Sequence, residues 1–339
     1  YYSGWRYQGG ALELGFLGGW AQGLVAASAG TRRRAAPPPG HGEVAVTPAI
    51  RNPMQAWPVS TFGGLDEESA PYWHDWLNHP ARDAYWDAIS VAQRLPDAAV
   101  PMLHVTGWFD VFQLGALRSY AALSKAGKAP QKLIIGPWAH TSYGRFLGDL
   151  DFGPFGAANA SGVIADINRV LDVYLRHREG VRLGPPVRYF LLGANRWETA
   201  ESWPPPGVQS VRWYLHSGGG ANSAFGDGVL SAEPPLRDEP ADRFLYDPAR
   251  PAPTAGGNLL VGNLQPGPID QSGVERRDDV LVYTSEPLTE DLVLAGPITL
   301  NLQAATDGPD TDWTGRLCDV EPDGRSIGIC DGILRARYR

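Results

Sequence analysis

The feature that most constrains this chain is a pattern repeated between residues 100 and 140: an apolar run, a loop, a helical stretch, and a second apolar run. "VPMLHVTGWFD" covers 100–110, and Leu114, Leu117 and Ala121 then recur at helical spacing before Gly127. "QKLIIGPWAH" (131–140) repeats the apolar run. Further on, Val163, Ile167, Val170, Leu171 and Tyr174 share one helix face with Gly180 as a stop, and "VRYFLLG" (187–193) supplies a third run. Strands alternating with helices imply βα units, because a parallel pair must be joined by a crossover that covers one face of the sheet. The middle of the chain is therefore of the α/β class.

The flanks read differently. Residues 1–95 are rich in Trp, Pro and Gly, with a helical pattern over 11–27 and a Pro-rich loop, "AAPPPG", at 35–40. The run Arg32, Arg33, Arg34 before it reads as a solvated loop. A helix-prone segment at 71–90 carries Trp73, Trp76 and Trp86, aromatics of the size that line a core or a pocket. "SWPPPG" (202–207) marks a boundary, since consecutive prolines stop both helix and sheet ladders. Beyond it, short alternating runs such as "SVRWYLH", "DRFLYD", "DDVLVYTSE" and "VLAGPITLNLQA" predict an all-β sandwich. Its last hairpin turns at Glu321-Pro322-Asp323-Gly324. With 339 residues, the chain is long enough for more than one core. The expected units are 1–95, a helical insertion; 96–203, part of an α/β core; and 204–339, the sandwich.

Composition narrows the function. A net charge of −8 gives no footprint for a nucleic-acid partner. No apolar stretch is long enough to span a membrane. Cys318 and Cys330 are too few for a disulfide framework or a Cys-rich metal site, and a bridge between them is optional. The histidines are His41, His74, His79, His104, His140, His177 and His216; no pair has HExxH spacing, so neither metal nor other cofactor is implied. The chain opens on Tyr1, so the compartment is not readable, and the oligomeric state is left open.

Two residues could carry chemistry. In open parallel sheets, reactive groups sit just beyond the carboxyl ends of strands. Asp110 follows "LHVTGWF" and His140 follows "LIIGPWA", so each stands at such an end. A carboxylate that orients an imidazole, which in turn deprotonates a hydroxyl, is the triad arrangement. Taken singly, each has an ordinary reading: Asp as a turn residue, His as a group satisfied in the structure.

Longer strings go further. "VPMLHVTGWFDVF", "KLIIGPWAH", "DWLNHPARDAYWDAIS", "VLDVYLRHREG" and, near the start, "YYSGWRYQGGALELGF" resemble the CocE/NonD family of hydrolases, as do "LLGANRWETAESWPPP" and "DRFLYDPARPAPTAGG". The resemblance covers almost the whole chain. It implies part of an α/β-hydrolase domain with a helical cap, followed by a jelly-roll (galactose-binding-like) sandwich. It also implies that Asp110 and His140 are triad acid and base, in the acid-before-base order of that fold. By the same resemblance Trp5 lines the substrate pocket, with Trp108 and Trp138 flanking the acid and base as further substrate contacts. The aromatic alternative for all three is plain packing. His79 and Asp83 read as structural, although an acidic group there could meet a substrate ammonium.

The pattern breaks at the nucleophile. GxSxG should precede Asp110, yet Ser3, Ser28, Ser60, Ser69 and Ser90 all lack it. "AASAG" around Ser28 has Ala at the first glycine and reads as helix. The expectation is a fragment of a serine hydrolase of small-molecule esters or amides, X-Pro peptides among them, that holds acid and base and is inactive alone. The competing reading is a non-catalytic protein whose sandwich binds a carbohydrate or another partner.

Overall fold

The computed structural model describes residues 4–35, 58–262 and 264–338. The first elements are β1 (Tyr7–Gln8) and β2 (Ala11–Leu12), a small hairpin turned by Gly9 and Gly10 at φ 53° and 83°. Two successive positive φ values are what a two-residue hairpin loop needs. Helix α1 (Leu14–Ala35) follows. The expected helix over 11–27 thus starts later, because the two glycines divert its first residues into the hairpin. It also runs longer, so Arg32, Arg33 and Arg34 extend a helix and do not lie in a loop. Ser28 is helical too, whereas residues 36–40 of the Pro-rich loop, and His41, lie outside the described residues.

The Trp-rich segment forms two helices. α2 (Pro71–Asn78) begins with Pro at its first turn, where the missing N–H costs nothing. α3 (Ala84–Ile89) is capped by Asp83, whose side chain accepts from the Tyr85 amide at 3.1 Å. Trp73, Trp76 and Trp86 pack with Tyr7, Phe16, Leu17 and Phe62 in one buried cluster.

The central sheet is built from β3 (Met102–Phe109), β4 (Gln131–Ala139), β7 (Val187–Leu191) and β8 (Arg196–Ala200), in that spatial order. Between β4 and β7 lie the two-residue strands β5 (Phe146–Leu147) and β6 (Leu150–Asp151). The first three sheet strands are parallel, as the alternating pattern requires. β8 is antiparallel to β7 and was not foreseen as a strand, since "RWETA" is short and polar on alternate positions. Crossovers are made by α4 (Gln113–Ala126), ended by Gly127 in the left-handed conformation, and α5 (Val163–Tyr174). α5 stops before the expected Gly180, because the chain turns through His177 at φ 49°. β4 is buried from Lys132 to Ala139, but among the described residues β3 has a paired neighbour on one side only.

The C-terminal part departs from the expected sandwich. β9 (Tyr214–His216) pairs with β10 (Val229–Ser231), and after the single turn α6 (Ser272–Glu275), β11 (Asp312–Val320) pairs with β12 (Ser326–Arg335). The last pair turns at 321–324 as expected, with the Gly324 amide donating to the Glu321 carbonyl at 2.9 Å. Between β10 and β11, "DRFLYD" and "VLAGPITLNLQA" form no strand, and "DDVLVYTSE" contributes only isolated bridges. Leu292, Val293, Ile298 and Leu300 stand exposed, because without paired neighbours neither face of this stretch is covered. Cys318 and Cys330 are free thiols, and burial pushes both up to about 11.

The two halves touch. The first hairpin lies so close on β12 that a Cβ at Gly9 would meet the Ile333 carbonyl oxygen at 1.8 Å. The Arg335 amide donates to the Gly9 carbonyl at 2.7 Å.

Candidate active site

Asp110 and His140 leave the ends of adjacent parallel strands, and their alignment depends on an irregularity. Gly107 pairs with Gly136, but Phe109 pairs with Ala139, so β4 carries one extra residue opposite β3. The extra residue falls at Pro137-Trp138, and Pro has no N–H to lose from the ladder there. A Cβ on Gly107 would sit 2.1 Å from the Trp138 carbonyl oxygen, so the bulge needs a glycine facing it. The bulge sets His140 level with Asp110. In an uninterrupted register Ala139 would hold that position.

His140 Nδ1 lies 3.3 and 3.4 Å from the two Asp110 carboxylate oxygens. That is slightly long for a hydrogen bond, in the range seen for such pairs before a substrate tightens them. The carboxylate is held from its own turn, accepting from the Phe112 amide at 2.8 Å. Asp110 is largely covered, whereas the His140 side chain is 37% exposed. Nδ1 faces the acid and Nε2 makes no hydrogen bond among the described residues, which leaves that nitrogen open to a proton donor. The loop after His140 is pinned by the Tyr143 hydroxyl, which donates to the His140 carbonyl at 2.6 Å.

Phe112, absent from the residues singled out in the sequence, packs its ring edge-on to His140 with centroids 4.8 Å apart. Its position two residues after Asp110 was the available signal. Trp5 packs edge-on to Phe112 at 5.9 Å, so it approaches the site through that ring. Its indole nitrogen is buried without a hydrogen-bond partner among the described residues. Trp108 and Trp138 are placed elsewhere. The indole N–H of Trp108 donates to the Phe190 carbonyl and that of Trp138 to the Gly156 carbonyl, both at 2.7 Å. Trp138 packs with Ile134 and Val163 in the core, so both rings face sheet packing and neither faces His140. His79 and Asp83 pair with each other at 2.6 Å in the helical part. Asn258, from the C-terminal half, donates to the Asp110 backbone carbonyl at 3.0 Å. Among the described residues, no group of three His, Cys, Asp or Glu is placed to hold a metal, and no helix is long and apolar enough to cross a membrane.

An acid and an imidazole thus meet at adjacent parallel strand ends, beside a helical layer. Two family descriptions match the chain: "X-Pro dipeptidyl-peptidase (S15 family)" over 1–142 and "X-Pro dipeptidyl-peptidase C-terminal non-catalytic domain" over 179–339. Together with the relatives below, these matches support a likeness to CocE/NonD-type hydrolases along the chain. It is 35% identical, along its whole length, to the cocaine esterase of Rhodococcus sp. (strain MB1 Bresler), of which it spans 59%. A solved α-amino-acid ester hydrolase superposes with a TM-score of 0.67 at 30% identity, over 80% of this chain and 47% of that one. A solved aminopeptidase from a marine-sediment Thaumarchaeota archaeon gives 0.65 at 27% identity, over 80% and 46%.

Proposed function

We propose that this chain supplies the acid and base of a serine hydrolase that cleaves ester or amide bonds of small molecules through an acyl-enzyme. The observation that carries the reading is the Asp110–His140 pair across two parallel strand ends. His140 Nε2 takes the proton of a serine hydroxyl as it attacks the carbonyl, and returns it to the leaving alcohol or amine. Asp110 holds Nδ1–H, which fixes the tautomer that leaves Nε2 basic. Water then repeats the sequence on the acyl-enzyme. No GxSxG precedes Asp110; the string of that form at 324–328 lies beyond His140 at the turn into β12, where the Ser326 hydroxyl donates to the Glu275 carboxylate at 2.7 Å, so the serine is assigned to a segment outside these 339 residues. Likeness to a cocaine esterase and to an α-amino-acid ester hydrolase supports the substrate class.

The units that go with this reading are 1–95 as cap, 96–203 as part of the hydrolase core, and 204–339 as a jelly-roll-type module whose strands pair more fully than the open sheets seen here. Trp5, with Phe112, forms the pocket wall nearest the base. Trp108 and Trp138 bear on substrate by supporting the strand ends behind it.

The test uses a polypeptide that joins this chain to a GxSxG-bearing segment, assayed on an aryl ester. His140→Ala and Asp110→Asn are expected to lower kcat by on the order of 10⁴-fold. The unjoined chain is expected to be inactive. Turnover by the unjoined chain, or full activity of His140→Ala, would overturn the reading, and the latter favours a binding protein.

A further inference from the structure

His140 follows one end of β4. At the other end of the same strand, roughly 23 Å away at the usual rise per residue, Lys132 opens a second site. Here α5, the loop before β7, and the strands β7 and β8 enclose a cavity of about 520 Å³. Four cations line it, Lys132, Arg169, Arg182 and Arg188, against one carboxylate, Asp166.

The single carboxylate is bonded on both oxygens. Arg169 donates to one of its oxygens at 2.8 Å and Arg188 to the other at 2.6 Å. One carboxylate carries a single negative charge and cannot neutralise four cations. Lys132 is 8% exposed, and its ammonium donates to the carbonyls of Leu183 and Pro185 at 2.8 and 2.7 Å. Neutral carbonyls satisfy two of its three protons without cancelling its charge. Arg182 makes no ion pair among the described residues. Burial lowers the Lys132 pKa, and although Asp166 raises it, the neighbouring Arg188 and Arg169 lower it further, as expected for a group in a field of excess positive charge. The twelve-residue α5 begins at this cavity after Gly162, at φ 80°; its Val163 amide donates to the Ser161 hydroxyl at 3.2 Å, and Asp166 stands in its first turn, so the case for an anion rests on the side-chain cations.

We propose that this cavity binds a tetrahedral oxyanion, phosphate or the phosphate group of a small monoester, at a site separate from the hydrolytic centre. Guanidinium groups present paired N–H donors in the geometry of phosphate oxygens, and a buried ammonium adds a point charge. The volume exceeds what a bare anion fills, which leaves room for a short organic substituent. Nothing here depends on the identity of the nucleophile or on the triad.

Calorimetric titration of the 339-residue chain, at constant ionic strength in chloride, tests it with two probes: inorganic phosphate and glycerol 3-phosphate. The expected result is one saturable site with a Kd at or below about 1 mM. Arg182→Ala should weaken it at least about tenfold, with the chloride-buffer Tm unchanged because that side chain has no ion pair to lose. Arg169→Ala should also weaken it. Tighter binding of the monoester identifies an organic phosphate as occupant; equal or weaker binding identifies the free anion. No saturable heat with either probe, or wild-type affinity in both variants, would overturn the proposal.

Discussion

Two histidine–carboxylate pairs, one among the N-terminal helices and one at the strand ends, show how little a distance says alone. His79 and Asp83 approach to 2.6 Å, whereas His140 and Asp110 stand at 3.3 Å. The closer pair is the local one. Its members are four residues apart, Asp83 also caps α3, and the His79 ring stacks on Tyr85 with centroids 4.4 Å apart. Every contact there closes a helix junction. The looser pair spans 30 residues and two strands, is steadied by an amide from its own turn, and is braced by Asn258 from the other half. Looseness in a supported pair is room to tighten, and tightness in a local pair is structural capping.

The strongest way to break this contrast is to exchange the roles. In the joined polypeptide, Asp110→Asn is expected to cost about 10⁴ in kcat with little change in Tm. Asp83→Asn should leave kcat within about twofold, since Asn also caps helices. Equal losses would mean that the His79–Asp83 pair belongs to the chemistry.

A third carboxyl sharpens the point by having no ion-pair partner among the described residues. Glu13 is pushed up to about 7, first by burial and then by the charge of Asp331. A carboxyl whose folded pKa is raised costs nothing below its unfolded value, near 4.5, and its full penalty applies above about 7. Glu13→Gln should therefore raise stability by about 2 to 3 kcal/mol at pH 8 and leave it unchanged at pH 4. Thermal melts across that range check it; a pH-independent gain would place the effect in packing.

Smaller effects are expected from the supports. Asp83→Ala removes a cap and should cost about 1 kcal/mol of stability, read by denaturant midpoint, with kcat unchanged. Asn258→Ala should lower kcat by about threefold to tenfold, the worth of one neutral hydrogen bond, without altering KM. A loss confined to KM would mean that Asn258 contacts substrate instead.

The parallel strands and the strand-end positions of Asp110 and His140 were legible, because apolar runs and their end residues are local properties of the sequence. The bulge at Pro137-Trp138 was not, since register depends on the partner strand. Trp108 and Trp138 misled for a related reason: adjacency in sequence to a reactive residue fixes neither the direction of an indole ring nor its hydrogen-bond partner. β8 escaped notice as a short amphipathic run, and sandwich strands were foreseen where the structure leaves 288–302 outside any strand, since alternation states which residues want covering and not what covers them. Asn258 left no signal, because 148 residues separate it from Asp110.

That long-range bond has a consequence for anyone recombining such proteins. The carbonyl behind the acid is a socket, and the amide that plugs it is supplied by the C-terminal half. The halves are therefore not interchangeable parts: a chimaera that takes residues beyond the proline boundary from another family member inherits a working acid loop only if the donor brings an amide to the same height.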